Sequence, residues 1–248
     1  IGIVLVPMFY FSQYHLQKKG GVMITASHNT WGWSGFKHAY DYSTTFVPDD
    51  VRELKEIIQA GDFIKGAGSR EHYPDIFEAY KKDVLSRIHL ARRLKVVVDT
   101  GNGTGGLFVP ALLREAGCDV VEQYTEVSEH RHHEANPSTL GMLDAMASGV
   151  RAAGADIAIG VDDDGDRLGA VDERGGIIWP DRLLILLARL ILAKKPGGKV
   201  VFDVKCTAEL SEDIIAHGGE PVIWKTGHSY IKAKAKEVMR PNPFLPCP

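Results

Sequence analysis

Cysteine is scarce in this chain. The three residues, Cys118, Cys206 and Cys247, are scattered and show no metal-ligand spacing. They give no sign of a disulfide framework or a structural zinc site, and free thiols in a reducing compartment, the cytoplasm, are expected. Charge of one sign is also lacking. Lys and Arg total 29 against 32 Asp and Glu, a net charge of -3. No clustered basic surface is expected, so neither a nucleic acid nor a membrane is an expected partner. Long hydrophobic runs are missing too. The most apolar stretch, "LLILLARLILA" (183–193), carries Arg189 and falls short of the roughly 20 residues that span a bilayer, so a buried helix is expected there. An initiating methionine is absent as well. The chain opens on "IGIVLV", as if inside a strand, and closes on "RPNPFLPCP", which has four prolines in nine residues and cannot extend a helix. A piece truncated at both ends is the expectation.

Length and composition allow two or three small globular domains. One pattern recurs along the chain: an apolar strand, a helix stopped by glycine, then a second strand. It is clearest in "KVVVD" (95–99), "LFVPALLREAG" (107–117) and "CDVVEQ". It returns in "KVVFD" (199–203), "TAELSEDIIAHGG" (207–219) and "EPVIW". A third copy is expected at the start, from "IGIVLV", "MFYFSQYHLQKKGG" (8–21) and "VMITA", with Gly20, Gly117 and Gly218 each as the left-handed residue after a helix. Repeated βαβ units predict an α/β fold of separate mixed sheets flanked by helices. Boundaries are expected near residue 89, after the charged helix "IFEAYKKDVLSRI" (76–88), and near residue 175, at "ERGG". They divide the chain into 1–89, 90–175 and 176–248.

Four stretches carry candidate chemistry. In "GVDDDGDRLGAVDERG" (160–175), between two apolar strands, Asp162, Asp164 and Asp166 alternate. In an extended segment their carboxylates share one face, and like charges so close call for a cation such as Mg²⁺ or Ca²⁺. An acidic turn is the plain alternative. An EF-hand fits less well, because Arg167 stands where that loop needs glycine. A strand followed by Asp-x-Asp-Gly also resembles the nucleophile loop of haloacid-dehalogenase-type phosphatases, with Asp162 as nucleophile and Asp164 as acid. In "DTGNGTGG" (99–106), Gly101, Gly103 and Gly106 fit G-x-G-x-x-G, and Glu122 lies where a ribose-binding acid would stand, so a dinucleotide-binding module is the main rival. In "TASHNTWGWSGFKHAY" (25–40), Ser27 ends a strand and Lys37 follows ten residues later. A hydroxyl nucleophile needs an activating partner; His28 and Lys37 are candidates, although His28, as a strand neighbour, would face the opposite way, and taken alone the stretch reads as an ordinary loop with a capping Ser or Asn and a solvated lysine. In "WKTGHSYIKAKAKE" (224–237), Lys225 and His228 at a helix start suit an anion, while Lys232, Lys234 and Lys236 suit a solvated helix face. "HRHH" (130–133) lacks the i, i+4 spacing of a helical metal site and is expected to be a surface loop, and "ANPS" (135–138) a turn.

Taken in order, T-A-S-H-N, G-F-K, V-V-V-D-x-G-N-G, D-x-D-G-D-R-L-G and W-K-T-G-H-S resemble the α-D-phosphohexomutase superfamily, most closely its bacterial phosphomannomutase/phosphoglucomutase branch. The resemblance runs from residue 1 to about residue 239. It implies four domains around a cleft and transfer of phosphate between O1 and O6 of a phosphohexose substrate, mannose or glucose. The route would be a phosphoserine enzyme and hexose 1,6-bisphosphate. It implies Ser27 as the phosphorylated serine. Asp162, Asp164 and Asp166 would hold Mg²⁺ with a Ser27 phosphate oxygen. Lys37 would be acid/base or phosphoryl stabiliser, and Arg167 and Lys225 would contact substrate. It further implies a shortened domain 1 (1–89), a domain 2 (90–175), an incomplete domain 3 (176–248) and no domain 4, and hence little activity for this piece alone. The chain departs from the family pattern at Thr30, where proline is usual. Trp31 and Trp33 replace polar residues, and Ser34 stands where asparagine is usual. The sugar-recognition stretch G-E-M-S-G-H does not occur.

Overall fold

A computed structural model describes residues 1–29 and 32–239. The expectations at Thr30, Trp31, Cys247 and the proline-rich tail fall outside the described residues. The described residues form two compact units, one of residues 1–43 and 66–179, the other of residues 44–65 and 180–239.

The first unit is built on a five-stranded mixed sheet of β4 (Lys95–Asp99), β5 (Asp119–Gln123), β6 (Ile157–Val161), β7 (Leu168–Asp172) and β8 (Ile177–Ile178), in the order β5-β4-β6-β7-β8. β4 runs parallel to β5 and β6, while β7 is antiparallel to both β6 and β8. β4, flanked by strands on both sides, is buried from Val96 to Asp99, as expected of a strand covered on both faces. One face carries α5 (Leu140–Ala153), whose Met142, Leu143, Met146, Ala147 and Val150 recur at helical spacing and pack on Val97, Ala158 and Val171. Val96 and Val98 point the other way, with Leu113 of α4 (Val109–Glu115) packed against their cluster. The expected β4-α4-β5 unit is therefore formed.

The opening residues form no first strand. Pro7 sits in the first turn of α1 (Val6–His15), and the Val6 amide donates to the Asp164 carbonyl at 2.8 Å. The chain enters the helix directly, with proline pre-setting its first turn. The following β1 (Gly21–Ile24) pairs antiparallel with β2 (Phe36–Tyr40), so this copy is a helix plus a hairpin and not βαβ. Nor does Gly20 cap α1. Gln17 is left-handed (φ 53°), and its side-chain amide donates to the Tyr14 carbonyl. Gly117 and Gly218 do take the expected positive φ, 96° and 75°. Met8 and Phe9 of α1 share a core with Ala39 of β2 and Ile76 of α3 (Ile76–Arg87).

The second unit contains β3 (Thr44–Thr45), α2 (Pro48–Ala60), α6 (Pro180–Leu192), β9 (Lys199–Asp203), α7 (Ala208–Ala216), β10 (Glu220–Trp224) and α8 (His228–Met239). β9 and β10 pair in parallel around α7, as the repeat predicts. Phe202, Leu210, Ile214, Ala188 and Leu192 form its core. The apolar run in α6 is amphipathic and not fully buried: Leu186, Leu187, Leu190 and Ile191 remain exposed. Among the described residues, no helix is long and apolar enough to cross a membrane. On α8 the lysines are tethered more than a solvated face requires. Lys234 lies over Trp224 and pairs with Glu237, and Lys236 donates to Thr44.

Candidate functional site

The acidic loop between β6 and β7 gathers its carboxylates by turning. The Gly165 amide donates to the Asp162 carbonyl, and Gly165 itself is left-handed (φ 69°). Asp162 Oδ1 accepts the amides of Asp166 and Arg167, both at 3.0 Å. Carboxylate oxygens of Asp162, Asp164 and Asp166 thereby come within 4.8 Å of one another. The sequence expectation of a shared extended face is corrected in its geometry, while the convergence of the carboxylates stands.

The serine loop meets this cluster from the β1–β2 hairpin. β1 ends at Ile24, so Ser27 stands beyond the strand and not at its end. Thr25 exchanges both backbone hydrogen bonds with Gly35, which closes the hairpin base. Ser27 is left-handed (φ 55°), a conformation that costs a non-glycine residue roughly 1–2 kcal/mol. The turn reverses the expected strand alternation. Instead of facing away, His28 Nδ1 lies 3.4 Å from Ser27 Oγ. Arg167 Nη2 stands 3.4 Å from the same Oγ and also donates to His28 Nδ1. Arg167 is held from the other side by Asn136 Oδ1 at 3.1 Å and by Asp162 at 3.2 Å. Asn136 belongs to the expected turn before α5, where its carbonyl accepts the Thr139 amide.

Lys37 reaches the same cluster from β2. Its ammonium lies 2.5 Å from Asp166 Oδ2 and 2.9 Å from Asp164 Oδ2. Burial works to lower its pKa, but the two carboxylates prevail and hold it above the ordinary lysine value. Burial raises Asp166, yet the Lys37 hydrogen bond and charge bring it below the usual carboxylate range. Asp162, fully buried, is pushed up to about 7, first by desolvation and then by the Asp166 charge. Asp164 Oδ1 is buried without a hydrogen-bond partner, and Asp162 Oδ2, also buried, has only the ion-pair contact with Arg167 Nε at 3.2 Å. Three converging carboxylates, one with a buried oxygen that has no partner, are a hard-donor set that fits a Mg²⁺-like cation. A cavity of about 780 Å³ opens beside them, reaching Ser27, Asn29, Arg131 and Asp164.

The glycine-rich loop serves this site as packing. A β-carbon on Gly103 would collide with Asp163, whose Cα would lie 2.9 Å away, and one on Gly101 would lie 2.6 Å from the Ala135 Cα. One on Gly106 would strike the Thr125 carbonyl. The space beside all three glycines is thus filled by protein, and Glu122 is engaged by Arg114 and Thr125. The feature that suggested a dinucleotide-binding loop is explained by close backbone approach. "HRHH" is likewise no free surface loop: Arg131 pairs with Asp163 at 2.8 Å, His132 stacks on Tyr124, and His133 bonds to buried Asp99. Sequence reasoning missed Arg131, Asn136 and Thr25; the last lies inside the quoted T-A-S-H-N motif. Lys225 belongs to the second unit, where its ammonium lies 5.9 Å from the Tyr230 ring centroid.

Models of the phosphoglucomutase/phosphomannomutase family match residues 1–65 (alpha/beta/alpha domain I), 73–176 (domain II) and 179–240 (domain III). A phosphomannomutase/phosphoglucomutase of Pseudomonas aeruginosa is 41% identical over 238 residues, covering 96% of this chain and 51% of that protein. A phosphoglucomutase of Neisseria gonorrhoeae is 36% identical over 242 residues, covering 96% of this chain and 52% of its own length. The crystal structure of a phosphoglucomutase/phosphomannomutase family protein from Burkholderia thailandensis superposes with a TM-score of 0.88 at 34% identity, covering 95% of this chain and 53% of that one. The chain spans about half the length of the curated relatives it matches. It belongs to the α-D-phosphohexomutase superfamily, in its phosphoglucomutase/phosphomannomutase branch.

Proposed function

We propose that this chain carries the phosphoserine and metal half of a mutase that interconverts hexose 1-phosphate and hexose 6-phosphate, with mannose or glucose as the sugar. The observation that carries this is the meeting of Ser27, Arg167 and the Asp162–Asp164–Asp166 cluster in one unit, although the two loops lie far apart in sequence. Asp162, Asp164 and Asp166 would hold Mg²⁺ together with an oxygen on Ser27. When bound, the cation neutralises charge on the transferring phosphoryl group.

Ser27 gives its phosphoryl group to a sugar hydroxyl and recovers one from the other end of the resulting hexose 1,6-bisphosphate. Arg167, already 3.4 Å from Ser27 Oγ, is placed to hold phosphoryl oxygens. Lys37, kept protonated by its carboxylate partners, acts as proton donor or as a positive charge beside the moving group. Lys225 contacts the substrate by likeness to the family motif. The domain limits near residues 89 and 175 are part of the proposal. A reducing cytoplasm suits the unpaired Cys118 and Cys206.

The 248 residues contain no G-E-M-S-G-H stretch to grip the sugar, so the chain by itself is expected to turn over little glucose 1-phosphate. Supplying hexose 1,6-bisphosphate with Mg²⁺ tests the half-site directly. The expected product is a phosphate on Ser27, lost in Ser27→Ala. Divalent-metal binding with no transfer to Ser27 would instead favour a non-catalytic cation-binding domain.

A further inference from the structure

Thr25 joins the two halves of the site. Its hydroxyl donates to Asp164 Oδ2 at 2.7 Å and accepts the Ser27 amide at 2.9 Å. Its backbone is fixed by both hydrogen bonds to Gly35. One side chain therefore sets the backbone of the serine turn and the orientation of a carboxylate 139 residues away. Asp164 Oδ2 is taken by Thr25 and by Lys37, while its other oxygen is buried and unpartnered. Pinning one carboxylate oxygen fixes where the remaining one points.

We propose that Thr25 is a positioning residue: it turns the free oxygen of Asp164 toward the cation and at the same time holds Ser27 in its left-handed conformation, so that metal affinity and serine phosphorylation depend on one hydroxyl. The proposal rests on the mutase function proposed above. A hydroxyl is required because the group must donate to a carboxylate and accept from an amide at once. Valine has nearly the same shape and can do neither, whereas serine keeps both bonds.

Mn²⁺ titration by electron paramagnetic resonance, on the 248-residue chain, tests this. Thr25→Val is expected to weaken Mn²⁺ binding roughly 10–100-fold, the usual effect of losing a group that orients a ligand. It is also expected to lower phosphate uptake on Ser27 from hexose 1,6-bisphosphate, while Thr25→Ser stays near the parent in both. Circular dichroism checks the fold, and Thr25→Ala serves in place of valine if that variant does not fold. An unchanged dissociation constant and unchanged labelling in the hydroxyl-free variant overturn the proposal. So does a loss in Thr25→Ser equal to that in Thr25→Val. If the parent chain binds no Mn²⁺, the proposed function fails with it; if only the variants behave alike, Thr25 alone is wrongly assigned.

Discussion

Arg167 is the residue on which the site converges. It touches the serine loop through Ser27 and His28, the acidic loop through Asp162, and the turn before α5 through Asn136. Charge-assisted hydrogen bonds of this kind contribute about 1.5–3 kcal/mol each. Arg167→Ala is therefore expected to reduce Ser27 phosphorylation by roughly tenfold or more, as a rate or occupancy measured by phosphopeptide mass spectrometry. Arg167→Lys should recover little, since a point charge cannot serve three directions at once. Asp162 supplies a pH prediction. With its pKa pushed up to about 7, the carboxyl carries a proton below that pH and must lose it to bind a cation. Divalent-metal affinity should then be constant above neutrality and fall on acidification, by roughly tenfold per pH unit as one proton competes with one cation. Calorimetric titrations across mildly alkaline to mildly acidic buffers check it, and a flat profile would contradict it. The sequence marked Arg167 and the aspartates but set His28 aside. Strand alternation was the wrong rule there, because a left-handed serine in a turn points its neighbour inward.

At the scale of the element, loops carry the candidate site and the strands hold them in register. The β4-to-α4 loop is glycine-rich because Asp163 of the acidic loop lies against Gly103. Gly103→Ala is expected to push that loop aside, costing on the order of 1–3 kcal/mol in a denaturant melt, as overpacking does. It should also weaken metal binding. A dinucleotide site would instead show NAD affinity lost in that variant. The same loop region contains a buried network. Asp99 accepts from the Gly101 amide, from Gln123 and from His133. Burial lowers the His133 pKa, but Asp99 outweighs it and raises the net value above 6.5. The stabilisation is complete below the ordinary histidine value and fades as pH rises through the raised one. His133→Gln should thus lose more stability in acid than in base, measured as melting temperature against pH. An equal loss at all pH values would show that the charge contributes nothing. Element types were legible where apolar periodicity met a glycine stop, as in β4-α4-β5 and β9-α7-β10. "IGIVLV" misled because its valines read as strand, while Pro7 and the Val6–Asp164 hydrogen bond make it the entry to a helix. "HRHH" was unreadable, because stacking on Tyr124 and bonding to Asp99 are tertiary contacts that leave no local pattern.

For the whole molecule, the α/β class and the separate sheets flanked by helices followed from the repeat, and the family followed from the order of five short motifs. What stayed hidden was how the serine and acidic loops interlock. Thr25, Asn136 and Lys37 bridge long sequence distances, and spacing alone cannot express that. The complete cluster lies within the first unit, so a phosphorylatable half-site should persist in this chain even where sugar turnover does not. The most direct measurement is phosphopeptide mass spectrometry after incubating the 248-residue chain with hexose 1,6-bisphosphate and Mg²⁺. The expected result is a single phosphate on Ser27, dependent on the divalent cation and lost when Asp164 is changed to Asn. Phosphate on another residue, or none on Ser27 in a chain shown to bind the cation, would contradict it.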